Sequence, residues 1–503
     1  MPRSTERRWR PLLLAFALGL LSVAAFAPID AFPLIVVTLA GLFRLLDTAA
    51  DARCAVTGAK IGFAFGAGLF LGGVSWIFVS LSTFGGMPAP VAGLATLLFC
   101  LFLALYPALV GALFARFAPV AGWRRPLFFA ALWALSEWLR GYVLTGFPWL
   151  AVGYSQTPPS PLAGIAPILG VFGISAATAW LGASLAVAHA TWRSRGAAAA
   201  LRGPLLAVAL VLAGGALLRE VRWTEARGEP LSVALLQGNI PQELKWRPEW
   251  FNESLRTYFH LAEDNPAQLT VLPETAIPAL YDQLPPGFID ALRGLALRQN
   301  GELILGVATG NAQAYANSAI AVGATGLQRY DKSHLVPFGE FVPPGFRWLM
   351  DLAQIPMSDF TPGAADQHPI RIGPLKAALD ICYEDAFGEE IIRALPEAEL
   401  LINLSNVAWF GDSLAPAQHL QISRMRALET GRMMLRATNT GMTAIIAADG
   451  RVVAKLPSFT RGALRGEIRA YVGVTPFIRG GNAPIVMLCL LCVALLRRRN
   501  TVS

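Results

Sequence analysis

Long apolar runs almost free of charge alternate with short polar connections over residues 11 to about 218. The runs are Pro11 to Ala27, Phe32 to Leu46, Ile61 to Leu81, Val91 to Phe114, Pro126 to Trp138, Pro161 to Ala190 and Leu205 to Leu218. A helix needs about 20 residues to cross the hydrocarbon core of a bilayer, and each run reaches that length alone or with its small and aromatic flanks. The pattern predicts seven membrane spans. The two shortest, Phe32 to Leu46 and Leu205 to Leu218, are also compatible with helices lying in the interface.

From about Thr224 to Val474 the pattern changes to mixed charge with regular Pro and Gly punctuation. Leu231 to Gln237, Leu269 to Leu272, Glu302 to Val307, Ser318 to Val322, Lys376 to Ile381 and Leu400 to Leu404 read as strands. Helical patterns over Glu249 to Ala262, Phe288 to Arg298 and Ala415 to Arg432 lie between several of them. Strands alternating with helices predict one layered α/β domain. Pro484 to Leu496 is apolar again and ends in Arg497, Arg498 and Arg499, which reads as an eighth span with a basic tail. The expected organisation is an N-terminal transmembrane domain of seven helices over 1–223, an α/β domain over 224–474, and a C-terminal span over 475–503.

Composition agrees with this division, because 54% of the 503 residues are hydrophobic and only 15% are charged, against about 25% charged in soluble domains. The net charge of +8 invites a nucleic-acid reading, but the basic residues are distributed by topology. Arg3, Arg7, Arg8 and Arg10 precede the first span; Arg44, Arg53 and Lys60 join the second to the third; Arg116, Arg124 and Arg125 join the fourth to the fifth; Arg193, Arg195 and Arg202 join the sixth to the seventh. The alternate connections Pro28 to Ala31 and Ser82 to Pro90 carry no Lys or Arg. The positive-inside rule then puts both termini in the cytoplasm and the α/β domain outside it. The first span reads as retained rather than as a cleaved signal. No nucleic-acid partner is implied.

Candidate chemistry lies in the α/β region. Cys54, Cys100, Cys489 and Cys492 sit within or beside apolar segments, whereas Cys382 ends a strand-like run in Leu379-Asp380-Ile381-Cys382-Tyr383-Glu384-Asp385. A thiol there, flanked by carboxylates, is a candidate nucleophile. Glu274 follows another such run in Val271-Leu272-Pro273-Glu274, and Lys332 follows a third in Tyr330-Asp331-Lys332. Taken singly, a free cysteine is usually a buried core residue and Glu or Lys is usually solvated. Taken together, the three bring a base, a cation and a nucleophile to one edge of a sheet, where open α/β sheets hold ligands. The five histidines, His189, His260, His334, His368 and His419, have no zinc-like spacing, so no metal or other cofactor is expected. His334 reads as a structural hydrogen-bonding residue.

Glu274, Lys332 and Cys382 in this order resemble the Glu-Lys-Cys triad of the nitrilase superfamily, which implies an αββα sandwich. Gln237-Gly238-Asn239-Ile240-Pro241-Gln242, Pro273 to Pro278, Lys332 to Pro343, Ile381 to Glu384 and Asn406 to Ser413 narrow the resemblance to the apolipoprotein N-acyltransferase family, as do Glu137 to Gly141 and Thr145 to Trp149 in the apolar part. One departure is Val407, where the family favours aspartate. The resemblance implies a bacterial inner-membrane enzyme with its α/β domain on the periplasmic side. It implies a phospholipid acyl donor, an acyl thioester on Cys382 and, as acceptor, the α-amino group of the N-terminal S-diacylglyceryl cysteine of an apolipoprotein. Glu274 would move protons, while Lys332 and the backbone N–H of Tyr383 would hold the oxyanion. Lys332 would also favour the Cys382 thiolate. Glu340 and Glu384 would support the site, Glu340 either by orienting Lys332 or by deprotonating the acceptor amine. Trp246, Tyr383, Trp409 and Phe410 would line the lipid access. A membrane-anchored amidase or nitrilase-type hydrolase is the alternative reading of the same triad.

Overall fold

The computed structural model describes residues 3–120, 122–311, 313–343, 345 and 359–497. Arg498 and Arg499 of the predicted tail lie outside the described residues, as do the side chains of Arg3, Arg7 and Arg8. The chain forms two compact units. One comprises residues 1–78, 89–222 and 480–503, and the other comprises 79–88 and 223–479.

The first unit is helical: α1 (Arg3–Ser22), α2 (Pro33–Asp51), α3 (Ala55–Gly73), α4 (Ala89–Phe117), α5 (Arg124–Arg140), α6 (Ala166–Arg195), α7 (Leu206–Leu218) and α11 (Ala483–Leu496). Among the described residues, Pro33–Asp51, Ala55–Gly73, Ala89–Phe117, Pro161–Arg195 and Ala197–Leu218 are long and apolar enough to cross a bilayer, and Trp9–Ala25 and Ala483–Leu496 are shorter apolar helices. Helix α5 carries Arg124, Arg125, Glu137 and Arg140 within its 17 residues. The expected span Ile61 to Leu81 is corrected: α3 begins at Ala55 and ends at Gly73, and Val79–Pro88 belongs to the second unit. Paired glycines at 72 and 73 followed by Ser75 weaken the helix there.

Glycine lets α3 and α4 touch backbone to backbone. A Cβ on Gly58 would lie 2.2 Å from the Gly111 carbonyl oxygen, and one on Gly111 would lie 2.1 Å from that of Gly58, a close approach of the small-residue kind used between membrane helices. Glu137 and Arg140 hydrogen-bond nearby side-chain and backbone groups. Glu137 accepts from Trp133 Nε1 at 2.8 Å and Val152 N at 2.9 Å, and Arg140 donates to Phe147 O at 2.7 Å.

The second unit is a four-layer sandwich. Its strands are β1 (Thr224–Gln237), β2 (Leu269–Val271), β3 (Ile277–Leu280), β4 (Glu302–Gly310), β5 (Tyr315–Gly323), β6 (Gln328–Asp331), β7 (Ile370–Ile372), β8 (Leu375–Ile381), β9 (Leu400–Ser405), β10 (Met434–Thr438), β11 (Ala444–Ile446), β12 (Val452–Lys455) and β13 (Gly462–Gly473). One sheet runs β13-β1-β2-β4-β5-β6 with β3 beside β4, and the other runs β12-β11-β10-β9-β8-β7. The centres of both are parallel, β1-β2-β4 and β8-β9-β10. Alternation along each strand fills both faces. Val233 and Leu235 join Ile381, Ile402 and Leu435 in a core shared by the two sheets, while Ala234 and Leu236 join Tyr258 of α8 (Pro248–Asp264) and Leu292 of α9 (Phe288–Arg298). On the other sheet, Leu401 and Met434 pack with Leu420 of α10 (Ala415–Thr430). Helix α10 stops two residues short of the expected Arg432, because Gly431 adopts φ +61°, a left-handed helix end.

This topology corrects the expectation of one sheet edge. Glu274 and Lys332 follow β2 and β6 of the first sheet, whereas Cys382 follows β8 of the second. After β2 the chain crosses over Gly306 of β4, where a Cβ would lie 2.4 Å from Pro273 O and 2.7 Å from Glu274 Cα. The Gly306→Ala substitution is therefore expected to lower stability by about 1–3 kcal/mol and to displace Glu274. Thermal unfolding of the full chain in detergent checks it, and a wild-type midpoint would show that the turn yields freely.

Candidate active site

Each candidate residue sits where a strand gives way to a turn. Thr275, after Glu274, has φ +43°, and Cys382 itself has φ +56° at the start of the 3-10 turn Cys382–Ala386. A left-handed β-carbon-bearing residue costs on the order of 1–3 kcal/mol, so the surroundings must hold it. Asn403 Nδ2 donates to the Cys382 carbonyl at 3.1 Å, and His419 Nε2 lies 3.2 Å from the same oxygen. Lys332 is tied through its backbone, with its N–H 2.8 Å from Asn317 O and its carbonyl 2.8 Å from Gly363 N.

The side chains of Lys332, Glu274 and Glu340 meet in a buried ring with Asn317. Lys332 Nζ lies 2.9 Å from the Glu340 carboxylate and 3.5 Å from Glu274 Oε1. Asn317 Nδ2 donates to Glu274 Oε1 at 2.8 Å and to Glu340 Oε1 at 3.0 Å. Asn406 N donates to the other Glu274 oxygen at 2.7 Å, and Val336 N to the other Glu340 oxygen at 2.8 Å. Burial works against the charge on Lys332, but Glu340 and Glu274 outweigh it and hold the ammonium well above its ordinary value. Burial likewise works against ionised Glu274, but Lys332, Asn317 and Lys245 keep it below the usual carboxylate range.

Cys382 is pushed the opposite way. Burial and then the Glu274 charge drive its thiol far up, and the opposing pull of Lys332 is too small to reverse them. Lys332 does act in the expected direction, favouring the thiolate, but burial and Glu274 outweigh it. Cys382 is half-buried, and the Glu274 carboxylate, held below its usual range, is the nearby group chemically suited to accept a proton.

Glu384 laces the two sheets' turns together. One of its oxygens accepts from Ile381 N at 2.6 Å and Tyr330 OH at 3.0 Å, and the other from Ser333 N at 2.7 Å, Ser333 Oγ at 2.9 Å and His334 N at 3.0 Å. It joins the turn carrying Cys382 to the segment carrying Lys332. His334 Nδ1 lies 3.1 Å from Glu390 Oε1, and its ring stacks 3.7 Å from that of Phe387.

The family profile described as apolipoprotein N-acyltransferase N-terminal domain matches residues 18–184, and that described as carbon-nitrogen hydrolase matches residues 232–477. An apolipoprotein N-acyltransferase of Nitrosomonas europaea is 46% identical over 487 residues, covering 95% of this chain and 95% of its own. The chain belongs to the apolipoprotein N-acyltransferase family. Another member, from Chromobacterium violaceum, is 46% identical over 97% of this chain and 95% of its own length. A solved CN-hydrolase superfamily protein from Xanthomonas campestris is 17% identical with a TM-score of 0.36 over 48% of this chain and 91% of its own, too distant to add to the argument.

Against this apolipoprotein N-acyltransferase family background, the expected lipid-access aromatics divide. Trp246 and Trp409 stand 54% and 38% exposed, and Phe410 is half-buried. Tyr383 is buried, its ring edge-on to Phe387 at 5.1 Å. Phe84 meets Trp409 edge-on at 6.3 Å. Val407 is buried, so the apolar side chain suits its place.

Sequence reasoning missed Asn317, Lys245, Asn403, Arg436 and the role of His419. His419 Nε2 lies 2.7 Å from Asp385 Oδ1, and Arg436 Nη1 donates to Asn403 Oδ1 at 2.8 Å, so these groups help fix the two side chains that meet the Cys382 carbonyl. A polar residue opening an apolar strand was the one available signal for Asn317, which precedes Ser318 to Val322.

Glu274→Gln removes the strongest anionic influence on Cys382, so the thiol should ionise at lower pH. Alkylation of the Cys382 peptide by iodoacetamide, read by mass, is expected to rise at lower pH in Glu274→Gln than in wild type. Coincident profiles would mean that the two groups are uncoupled.

Proposed function

We propose that this chain transfers an acyl chain from a membrane phospholipid, through a thioester on Cys382, to the α-amino group of the N-terminal S-diacylglyceryl cysteine of apolipoproteins. The observation that carries the reading is the Lys332 ammonium held between Glu274 and Glu340 and acting electrostatically on Cys382, in a chain of the N-acyltransferase family with several apolar helices.

The thiol proton passes to Glu274 as sulfur attacks the ester carbonyl carbon. The oxyanion forms against Lys332 and the Tyr383 N–H. The C–O bond then breaks, and Glu274 returns the proton to the lysophospholipid alkoxide. In the second half the neutral acceptor amine attacks the thioester, its proton goes to Glu274, and the C–S bond breaks. The thiolate takes that proton back, leaving an amide. Glu340 serves chiefly to orient Lys332, to which it is salt-bridged, and Glu384 aligns the two turns. Trp246, Trp409 and Phe410 line the lipid access.

In this reading the chain is a multi-pass protein of the bacterial inner membrane with eight spans. The catalytic domain covers 224–474 on the periplasmic side, between membrane domains at 1–223 and 475–503, and both termini are cytoplasmic. Arginine-bearing connections on alternate sides of the apolar helices support that orientation. A reporter active only outside the cytoplasm should score when fused near Gly228 and stay silent when fused after Arg499. The reverse pattern would sink the orientation.

Incubation of the purified chain with phospholipid alone is expected to leave an acyl adduct on Cys382 that persists until a diacylglyceryl peptide is added. Cys382→Ser should show neither adduct nor turnover. Lys332→Ala should lose about 10²-fold or more in acylation rate, the scale of an oxyanion donor. An adduct that water removes as fast as it forms would identify a hydrolase instead.

A further inference from the structure

Lys245 is a buried amine that the mechanism above leaves unused. It closes the single turn Gln242–Lys245 and is 2% exposed. Its Nζ lies 2.7 Å from Thr275 Oγ1 and 3.4 Å from the Glu274 carbonyl oxygen. No salt bridge engages it among the described residues. Its neighbours Glu243 and Arg247 are exposed, and the one charge that bears on it is that of Glu274.

The same short turn reaches Glu274 by a second route. Gln242 Oε1 accepts from Asn406 Nδ2 at 2.9 Å, and the Asn406 N–H donates to Glu274 Oε2 at 2.7 Å. Thr275 holds φ +43°, a conformation in which a β-branched residue is an outlier, and its hydroxyl is the group that Lys245 grips. A neutral donor could make that hydrogen bond without the cost of burying an ammonium. The charge therefore needs a second role, and Glu274 is the group on which it acts.

We propose that Lys245 is a positioning residue for Glu274, clamping the Glu274–Thr275 turn through Thr275 and tuning the proton affinity of the carboxylate through its own charge. This rests on the reading of Glu274 as the proton acceptor. Burial brings the amine down to about 7 against the raising influence of Glu274, so its charge is present below neutrality and lost above it. A cation beside a carboxylate lowers the carboxylate's proton affinity. Loss of that charge strengthens Glu274 as a base. Lys332, Glu340, Cys382 and Arg436 also act electrostatically within this cluster, and none of them changes when Lys245 is replaced.

The test follows single-turnover acylation of Cys382 in the full chain across the acid limb of the pH–rate profile. In wild type Lys245 is charged throughout that limb. Lys245→Met should shift the limb to higher pH by about one unit, because Glu274 then holds its proton more tightly, and Lys245→Arg, which keeps the charge, should return it to the wild-type position. A limb unmoved in Lys245→Met, with acylation impaired in Glu274→Gln, overturns the proposal alone. Wild-type acylation in Glu274→Gln overturns the reading of Glu274 and the proposal with it. Thr275→Val keeps every charge and removes only the hydrogen bond; it should slow acylation several-fold without moving the limb, and a wild-type rate overturns the clamp even if Lys245→Met fails to fold.

Discussion

The ammonium of Lys332 between the carboxylates of Glu274 and Glu340 is the interaction on which the site depends. Two carboxylates that share one asparagine amide cannot both stay ionised out of water unless a cation stands between them. With Lys332 in place, Glu274 is held below the ordinary carboxylate range. Removing a partner from a buried set of charges leaves another uncompensated, so Lys332 helps set the proton affinity of Glu274. The site draws on both sheets. Glu274 and Lys332 leave one, Cys382 leaves the other, and Glu384 fastens the turns together.

The same electrostatics set a mismatch between donor and acceptor. Glu274 is held below the ordinary carboxylate range and Cys382 far above the ordinary thiol range, and each unit of separation is worth about 1.4 kcal/mol. Proton transfer between them is uphill in the resting site. In the proposed mechanism it becomes favourable when the sulfur gains a carbonyl carbon to bond and Lys332 gains an oxyanion to neutralise, so that attack, proton transfer and oxyanion formation are linked by energy.

Much of this was legible in the sequence. Apolar length marked the helices, although the run to Leu81 hid the end of α3 at Gly73, because residues beyond a helix can stay apolar when they pack elsewhere. Short apolar runs marked β1, β2, β4, β5, β8 and β9, while β3, β6, β7 and β10 to β13 were not delimited as strands. Strand-to-turn settings singled out Glu274, Lys332 and Cys382 as candidates. Their distribution over two sheets was hidden, since strand order is set by long-range pairing that no local pattern encodes. Asn317 and Lys245 were invisible for the same cause: a single polar residue reveals its burial only once its neighbours are placed. The direction of the Cys382 shift depends on three charges and their burial together, which spacing does not report.

A thiol that keeps its proton has a further consequence. Peroxides and disulfides react with thiolate rather than thiol, and oxidation beyond the sulfenic state is not readily reversed. A nucleophile poised as a free thiolate would be exposed to that loss during every idle interval. On the proposed mechanism, burial and the Glu274 charge hold the hydrogen on the Cys382 sulfur and keep it quiet toward oxidants between turnovers, so the features that slow its ionisation would also lengthen its working life.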